Sequence, residues 1–316
     1  MANAKEIQDR IKSIQDTMKI TKAMYMMSSM KLRKAKTKLQ NTEPYFNGLQ
    51  KEISDVLLHF PDMEHLYFDN RSSDKTESVK KKGYIVITGD KGMAGAYNHN
   101  VIKEAQKLVD DAEDYRLFVV GEIGRQFFYS QHENVMRDFV FSTNNPSIHR
   151  ARVMTEIIMD LYNREELDEV YVIYTCMLNS IKEEVRIEQI LPLKTHEFIK
   201  SELIDASMLG TGNFDKHALE EADDWFLIYP SPRVVLEKLV YNYITGFLYG
   251  VLVEGSASEE NARMMAMQSA TDNAEKMLAE LSIAYNRVRQ AAITQEITEV
   301  IGGAKALKKK KKKQER

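Results

Sequence analysis

The sequence predicts an α/β domain that lies, along the chain, between two long helices paired as an antiparallel coiled coil. Apolar or small residues recur in alternating steps of three and four from about Pro232 to Leu307, and again near the amino terminus. A heptad seam of this kind is the pattern of a coiled-coil helix. Between the two seams, short apolar runs alternate with helical patterns, which is typical of a mostly parallel, Rossmann-like sheet with helices on both faces.

The carboxy-terminal seam contains no proline after Pro232. At about 1.5 Å per residue this helix would be roughly 110 Å long, so it requires a partner helix. Its seam positions are Leu236, Leu239, Tyr243, Gly246, Gly250, Val253, Ala257, Met264, Met267, Thr271, Ala274, Leu278, Leu281, Tyr285, Val288 and Ala292. The small and polar members of this set weaken a coiled coil, which indicates either close helix approach or additional support from outside surfaces.

The amino-terminal seam predicts a first helix over residues 3–58, which continues past Pro44 and ends before Pro61. Its opening positions are Ile7, Ile11, Ile14, Met18, Thr21, Tyr25, Ser28, Leu32, Ala35 and Leu39. Residues 5–38 hold ten Lys or Arg against three acidic residues, whereas residues 236–305 hold six against nine. The opposite bias favours pairing, although each exposed ion pair contributes only some tenths of a kcal/mol.

The predicted domain organisation has six parts. They are an amino-terminal coiled-coil helix (1–60), a linker (61–83), a central α/β domain (84–199), an irregular connection (200–231), a carboxy-terminal coiled-coil helix (232–307) and a disordered basic tail (308–316). Within the central domain, strands are predicted at Tyr84–Thr88, Arg116–Val120, Asp138–Phe141, Val170–Thr175 and Val185–Leu191, the last two as an antiparallel hairpin. Helices are predicted at Ala96–Asp111, Arg125–His132 and Ile148–Arg164.

Composition excludes several classes of protein. The net charge of −3 divides into a tail at +6 and a remainder at −9, which is not the pattern of a protein built around nucleic acid. No apolar run is long enough to cross a membrane, and the start of the chain is neither a secretory signal nor a transit peptide. The one cysteine, Cys176, excludes internal disulfides and cysteine-based metal clusters. A cytosolic protein is expected.

A search for catalytic chemistry finds one weak candidate. The segment Thr88–Gly95 follows the first strand and opens a helix, as a phosphate-binding loop would, but it lacks the Gly-Lys-Ser/Thr ending and the G-x-G-x-x-G spacing. A nucleotide-dependent enzyme therefore stays open as an alternative, beside a tight turn that needs glycine. No two of the seven histidines have ligand spacing, so no zinc site is predicted. The sequence contains no G-x-S-x-G elbow and offers no Cys/His dyad, so no catalytic group is predicted, and no cofactor is expected.

The end of the long helix carries the strongest local signal. Ile293, Ile297, Val300 and Ile301 lie among polar residues, and most of them fall outside the heptad seam. A second apolar face on one helix predicts that this end is embedded in a partner, with a homodimer contact as the simpler alternative.

These residues resemble the gamma subunit family of F-type ATP synthases, bacterial type. The segment Ile293–Ala306 is similar to the family's carboxy-terminal signature I-T-x-E-x-x-E-x-x-x-G-A-x-A, and Ser258–Met267, Ala270–Ala274 and Tyr285–Gln290 match upstream. Arg10–Ile14 and Lys19–Met24 are similar to the opening helix. The Gly89–Asn98 loop resembles S-D-R-G-L-C-G-G-L-N, with Ala94 in place of the cysteine.

The resemblance implies a non-catalytic rotor shaft. Ion flow would turn a membrane ring of c subunits, and the asymmetric shaft would drive conformational cycling in the catalytic beta subunits. The implied partners are three alpha and three beta subunits, epsilon and the c-ring, on the cytoplasmic face of the bacterial membrane. A coiled-coil scaffold or tether with an α/β head is the alternative function.

The resemblance also implies six contact positions toward the alpha and beta subunits. Lys22 and Met24 match the first-helix site that meets an acidic loop of beta, and Arg263 matches the arginine of an A-R-M motif. A polar cluster that couples the shaft to the surrounding subunits is matched by Gln290, Thr294 and Glu296. The lysine run at 308–313 extends beyond the family's usual end, and the cysteine-bearing insert of the chloroplast type is absent, so thiol regulation is not expected.

Overall fold

The computed structural model describes residues 4–60, 63, 65–68, 79–132, 134–179, 182–195, 198 and 228–314, with side chains up to residue 305. Most of the predicted linker and nearly all of the irregular connection lie outside these residues. The chain forms two compact units: residues 1–27 with 264–316, and residues 28–263. The two long helices each contribute to both units.

The first helix, α1, runs from Ala4 to His59 and contains Pro44. The last helix, here α5, runs from Pro232 to Gln314. Ser231 precedes the helix, and its hydroxyl accepts a hydrogen bond from the Val234 amide at 3.4 Å. Proline then occupies the first helical position. Both features favour a helix start.

The two helices pair in antiparallel fashion, as predicted. In the first unit the hydroxyls of Thr21 and Thr271 lie 2.8 Å apart. In the second unit Lys31 pairs with Glu260, and the ring of Phe46 stacks on that of Tyr243 with centroids 4.8 Å apart. Later residues of α1 thus meet earlier residues of α5.

The prediction of a disordered basic tail is wrong for residues 308–314, which continue α5 to Gln314. Lysine is a good helix former, and cations at a helix carboxy terminus interact favourably with the helix dipole.

A four-stranded sheet forms the centre of the second unit. Its strands are β1 (Lys82–Ile87), β2 (Tyr115–Val120), β3 (Glu169–Met177) and β4 (Glu183–Leu191), in the order β2-β1-β3-β4. β1 is parallel to β2 and β3, whereas β3 and β4 form the predicted antiparallel hairpin. The α/β fold class with paired long helices is confirmed.

Helices cover both faces of this sheet. Helices α2 (Tyr97–Asp110) and α3 (Glu122–Gln131) pack on one face, where Val86, Leu117 and Ile173 meet Val101 and Phe128. Helix α4 (Ile148–Asn163) packs on the other face together with the part of α5 that belongs to this unit. The alternation of side chains along each strand divides the core into these two layers.

The predicted strand at Asp138–Phe141 is absent. Residues 134–141 follow the edge of β2 but pair with its backbone in no continuous ladder, forming instead the isolated bridges Val135 to Leu117 and Phe141 to Val120. A turn at residues 137–138 interrupts the ladder between the two bridges. Phe139 instead inserts into the core against Phe118, with ring centroids 5.3 Å apart. The segment still covers an otherwise open sheet edge.

Candidate functional site

A crevice at the carboxyl ends of β1 and β3 is the place where a ligand binds in many α/β folds. After β1 the chain forms β2 on one side and then crosses to β3 on the other, so the strand order reverses between β1 and β3. Open sheets of this kind bind ligands just outside the strand ends at such a reversal. The Thr88–Gly95 loop, which was the nucleotide-binding candidate, lies here.

In this chain, a segment of α5 from Glu254 to Arg263 fills the crevice. The Glu254 carboxylate accepts a hydrogen bond from the Met177 amide at the end of β3 at 2.9 Å. The Ser258 hydroxyl donates to the Thr175 carbonyl oxygen at 3.0 Å. From the loop side, the buried Tyr97 hydroxyl donates to the Gly255 carbonyl oxygen at 3.0 Å. The chain's own helix thus occupies the space that a bound ligand would need.

Arg263 closes one side of this arrangement. Its guanidinium donates to the carbonyl oxygens of Lys91 and Gly92 at 3.2 and 3.4 Å and forms ion pairs with Glu259 and Glu260. The residue is only 7 % exposed. The donors of Arg263 are therefore used within the chain, and its expected contact with a partner subunit stays a prediction.

The two glutamates beside Arg263 have different electrostatic environments. Burial raises the pKa of Glu259, and Arg263 only partly offsets this effect. Burial would also raise the pKa of Glu260, but hydrogen bonds and charge from Lys31 and Arg263 outweigh it, so the pKa of Glu260 is lowered. Glu260 therefore carries the more stable negative charge, and it connects α1 to α5 through Lys31 at 2.9 Å.

Side chains of the protein also use the backbone amides around the Thr88–Gly95 loop. Asp90 accepts from the amide of Glu122, the first residue of α3, at 3.2 Å, and from the Asn144 amide at 3.1 Å. The Gly89 amide donates to the Asn98 side chain at 2.7 Å. A carboxylate at a helix amino terminus occupies the position that a phosphate would take. The arrangement favours the tight-turn alternative over nucleotide binding.

Glycine is required at Gly89 for a steric reason. A Cβ at this position would lie 2.9 Å from the Glu259 carboxylate. Glycine at this one position of the loop therefore allows Glu259 of α5 to approach the loop closely.

Lys22 and Met24 lie on α1 in the first unit. Lys22 is half-exposed and pairs with Glu275 of α5 at 3.0 Å, so its charge already has a partner within the coiled coil. Met24 is partly exposed, and its neighbours Met26 and Met27 are more exposed.

Gln290, Thr294 and Glu296 lie on a part of α5 where every residue from 289 to 305 is exposed. Thr294 donates its hydroxyl back to the Gln290 carbonyl oxygen at 2.9 Å, so these two share one helix face. The large apolar residues in the same part of α5 are exposed as well: Ile293 48 %, Ile297 54 %, Val300 71 % and Ile301 51 %. This end of α5, residues 289–305, is here called the tip.

The six sequence-predicted residues thus occupy three places. Lys22 and Met24 lie on α1, the polar trio lies on the tip, and Arg263 belongs to the other unit. Sequence reasoning missed the crevice contacts of Glu254, Ser258 and Tyr97, since nothing in a heptad pattern indicates that a helix passes over strand ends. Among the described residues no cluster of His, Cys, Asp or Glu could hold a metal ion.

Comparison with known proteins gives a consistent result over nearly the whole chain. The family model described as ATP synthase matches residues 3–307. The ATP synthase gamma chain of Acetivibrio thermocellus is 44% identical over 309 residues, covering 98% of this chain and 100% of the relative. The ATP synthase gamma chain of Ruminiclostridium cellulolyticum is 43% identical over 306 residues, covering 96% and 99%.

The fold agrees with a rotor structure. A chain in the rotor of the Euglena gracilis mitochondrial ATP synthase, in rotational state 1, superposes with a TM-score of 0.58 at 16% identity, covering 92% of this chain and 98% of that one. At this identity the likeness concerns the fold alone. Taken with the family match and the two relatives, the conclusion is that this chain belongs to the ATP synthase gamma chain family.

Proposed function

We propose that this chain is the central rotor shaft of an F-type ATP synthase. It couples ion-driven rotation of the membrane c-ring to conformational cycling of the catalytic beta subunits, in ATP synthesis or hydrolysis. The chain itself makes and breaks no covalent bond. The observation that carries this proposal is the exposed tip of α5, supported by family membership.

The tip is not stable as an isolated structure. All residues from 289 to 305 are exposed, and an isolated helix of this length is marginal in water. Its apolar residues recur at steps of three and four, which gives one continuous stripe. An exposed apolar stripe on an unsupported helix favours burial in a partner.

The polar residues of the tip favour a contact with the partner that can both form and break. Gln290, Thr294 and Glu296 interleave with the isoleucines, so the tip offers hydrogen-bonding groups on the same turns as apolar ones. Together with Lys22 and Met24 on α1, they form the proposed contact set toward alpha and beta. Such mixed surfaces can exchange contacts during rotation without a single deep energy minimum.

A non-catalytic role fits the crevice. The place where an α/β domain would bind a nucleotide contains the α5 segment 254–263, held by hydrogen bonds to strand-end backbone. The catalytic sites would then belong to other subunits of the complex.

The proposed partners are three alpha and three beta subunits, epsilon and the c-ring, with the protein on the cytoplasmic face of the bacterial membrane. In the described part of the chain, no helix is long and apolar enough to cross a membrane. Membrane association in this proposal occurs only through the complex.

The test is the composition of the complex. An affinity-tagged chain, co-expressed with alpha and beta subunits from the same synthase, should be recovered as one copy with three of each, measured by native mass spectrometry. A variant truncated after residue 288 serves as the control and should lose this assembly. Recovery of the intact chain as its own dimer, without alpha and beta, would favour the scaffold or tether alternative.

A second measurement addresses the enzyme alternative. Isolated chain is titrated with ATP and ADP by calorimetry, and no saturable binding at micromolar concentration is expected. Such binding, abolished by Gly89→Ala, would revive a nucleotide-dependent activity at the crevice.

A further inference from the structure

A short polar stretch of α5, Ala257–Arg263, is buried on nearly all sides. Six of its seven residues are buried, and only Ala262 is partly exposed. The buried polar members are Ser258, Glu259, Glu260, Asn261 and Arg263. Burying polar and charged groups opposes folding unless every group is paired, and apolar residues of similar volume often give equal or greater stability. Stability alone therefore does not explain this composition.

The partners of the stretch are fixed points of the sheet and its loops. Ser258 donates to the Thr175 carbonyl oxygen in β3, and Arg263 donates to the Gly92 carbonyl oxygen in the loop after β1. Asn261 donates its side-chain amide to Glu183 at the start of β4 at 3.0 Å. One turn earlier, Tyr97 of α2 reaches the Gly255 carbonyl oxygen. Two strands, the loop after β1 and helix α2 thus contact neighbouring turns of α5.

Directional contacts of this kind define one position of a helix. Apolar attraction has no direction of its own, so apolar packing fixes a helix through shape alone. A hydrogen bond weakens steeply when its angle or distance changes. Rotating α5 about its axis would break the Ser258 and Arg263 contacts together and leave buried groups unpaired, which is costly. The polar stretch therefore sets both the rotation and the height of α5 against the sheet.

We propose that Ala257–Arg263 is the register lock through which torque passes between the α/β sheet and helix α5. This inference rests on the proposed rotor function and names the residues that transmit the torque. Under torque, the hydrogen bonds from this stretch to Thr175 and Gly92, supported by the Tyr97–Gly255 bond one turn earlier, resist rotation of α5 directly. Arg263 acts as a positioning residue inside the chain.

The test uses the whole membrane-bound synthase with the double variant Tyr97→Phe, Ser258→Ala. These substitutions remove two hydroxyls and keep both side-chain shapes. A matched control is Leu248→Ala, which removes buried apolar contact from α5 in the same unit and leaves the polar stretch intact. Arg263→Lys is a third variant, since lysine retains the charge but not the guanidinium fork that spans two carbonyl oxygens and two carboxylates.

The readout is the ratio of ATP-driven ion pumping to ATP hydrolysis in inverted vesicles, with assembly quantified by subunit blots. The double variant is expected to assemble and hydrolyse ATP within about twofold of wild type, while its pumping ratio falls at least about threefold. Leu248→Ala should lower thermal stability without changing the ratio. Arg263→Lys should give an intermediate ratio.

Two outcomes would overturn the inference. One is an unchanged pumping ratio in the double variant, and the other is an equal loss in Leu248→Ala, because coupling would then follow general stability. A wild-type chain that fails to assemble with alpha and beta would instead contradict the proposed function, and the subunit blots separate the two failures.

Discussion

The apolar stripe of the tip allows a quantitative prediction of partner binding. The double substitution Ile297→Ser, Ile301→Ser removes two side chains that are 54 % and 51 % exposed in the chain alone. Their exposed surface together equals about one whole isoleucine, and full burial of such a side chain stabilises by about 1.5–3 kcal/mol. Affinity for an alpha–beta assembly should therefore fall about 10- to 150-fold.

The assay is reconstitution with purified alpha and beta subunits. The chain is titrated into a fixed amount of alpha and beta, and the concentration that gives half-maximal ATPase activity is measured. Val140→Ser is a matched control, since Val140 is also an exposed apolar residue but belongs to the α/β domain and not to the proposed contact set. It should leave the half-maximal concentration unchanged.

The isolated double variant should unfold at the same temperature as wild type, because these side chains make no buried contact in the free chain. This separates lost binding from lost folding. Wild-type affinity in the double variant would refute the argument that the stripe is buried in a partner. An equal loss in Val140→Ser would mean that general surface hydrophobicity, not the tip, determines assembly.

Four further predictions concern the rest of the chain. Gly121→Ala should lower the free energy of unfolding by about 3 kcal/mol or more in chemical denaturation, since φ is +93° and a Cβ would lie 2.1 Å from the Thr88 carbonyl oxygen; a loss under about 1 kcal/mol would contradict this geometry. Burial, with the nearby Glu254 carboxylate, raises the pKa of Cys176 to about 11 from its ordinary value of 9.0. Because the thiolate is the reactive form, alkylation by iodoacetamide at pH 8 should be about 100-fold slower in the folded than in the unfolded chain. Equal alkylation rates in the two states would show that the pKa of this thiol is not raised. Lys22→Ala should cost less than about 1 kcal/mol in stability, because both Lys22 and Glu275 are half-exposed, and a larger loss in thermal unfolding would indicate a stronger role for this pair. Removing residues 308–316 should leave coupled ATP synthesis nearly intact, because the family match ends at residue 307; loss of assembly on this truncation would count against it.

Much of the fold follows from periodicity in the sequence. The heptad seams predicted both long helices and their antiparallel pairing, and short apolar runs located β1 to β4. A helix buried on one side leaves a repeat of three and four residues in the chain, whereas a strand covered on both faces leaves a continuous apolar run. The strand prediction for residues 138–141 was wrong because a buried phenylalanine gives the same local sequence pattern in two cases. Phe139 could lie in a strand ladder or pack as a single inserted ring, and the structure shows the second.

The partner-contact residues are a separate case. Lys22, Met24, Gln290, Thr294 and Glu296 came from the family resemblance, and their contact with alpha and beta is still a prediction. Arg263 came from the same resemblance, and its contact with alpha and beta is likewise still a prediction; the structure adds that its guanidinium is paired within the chain. A sequence shows that an arginine is present and lies on a helix, but not which carbonyl oxygens lie within reach of its guanidinium.

By itself the sequence determined the two helices, the α/β class of the domain between them, and the exposed apolar tip, because each is a repeating local pattern. Only the tertiary structure decided which residues each part of the Pro232–Gln314 helix contacts. It places Glu254–Arg263 over the strand ends at the crevice, so that polar residues of this coiled-coil helix are buried against the sheet. The physical reason is that hydrogen bonds across the fold join residues far apart in sequence, such as Thr175 and Ser258, and no local pattern encodes such pairs.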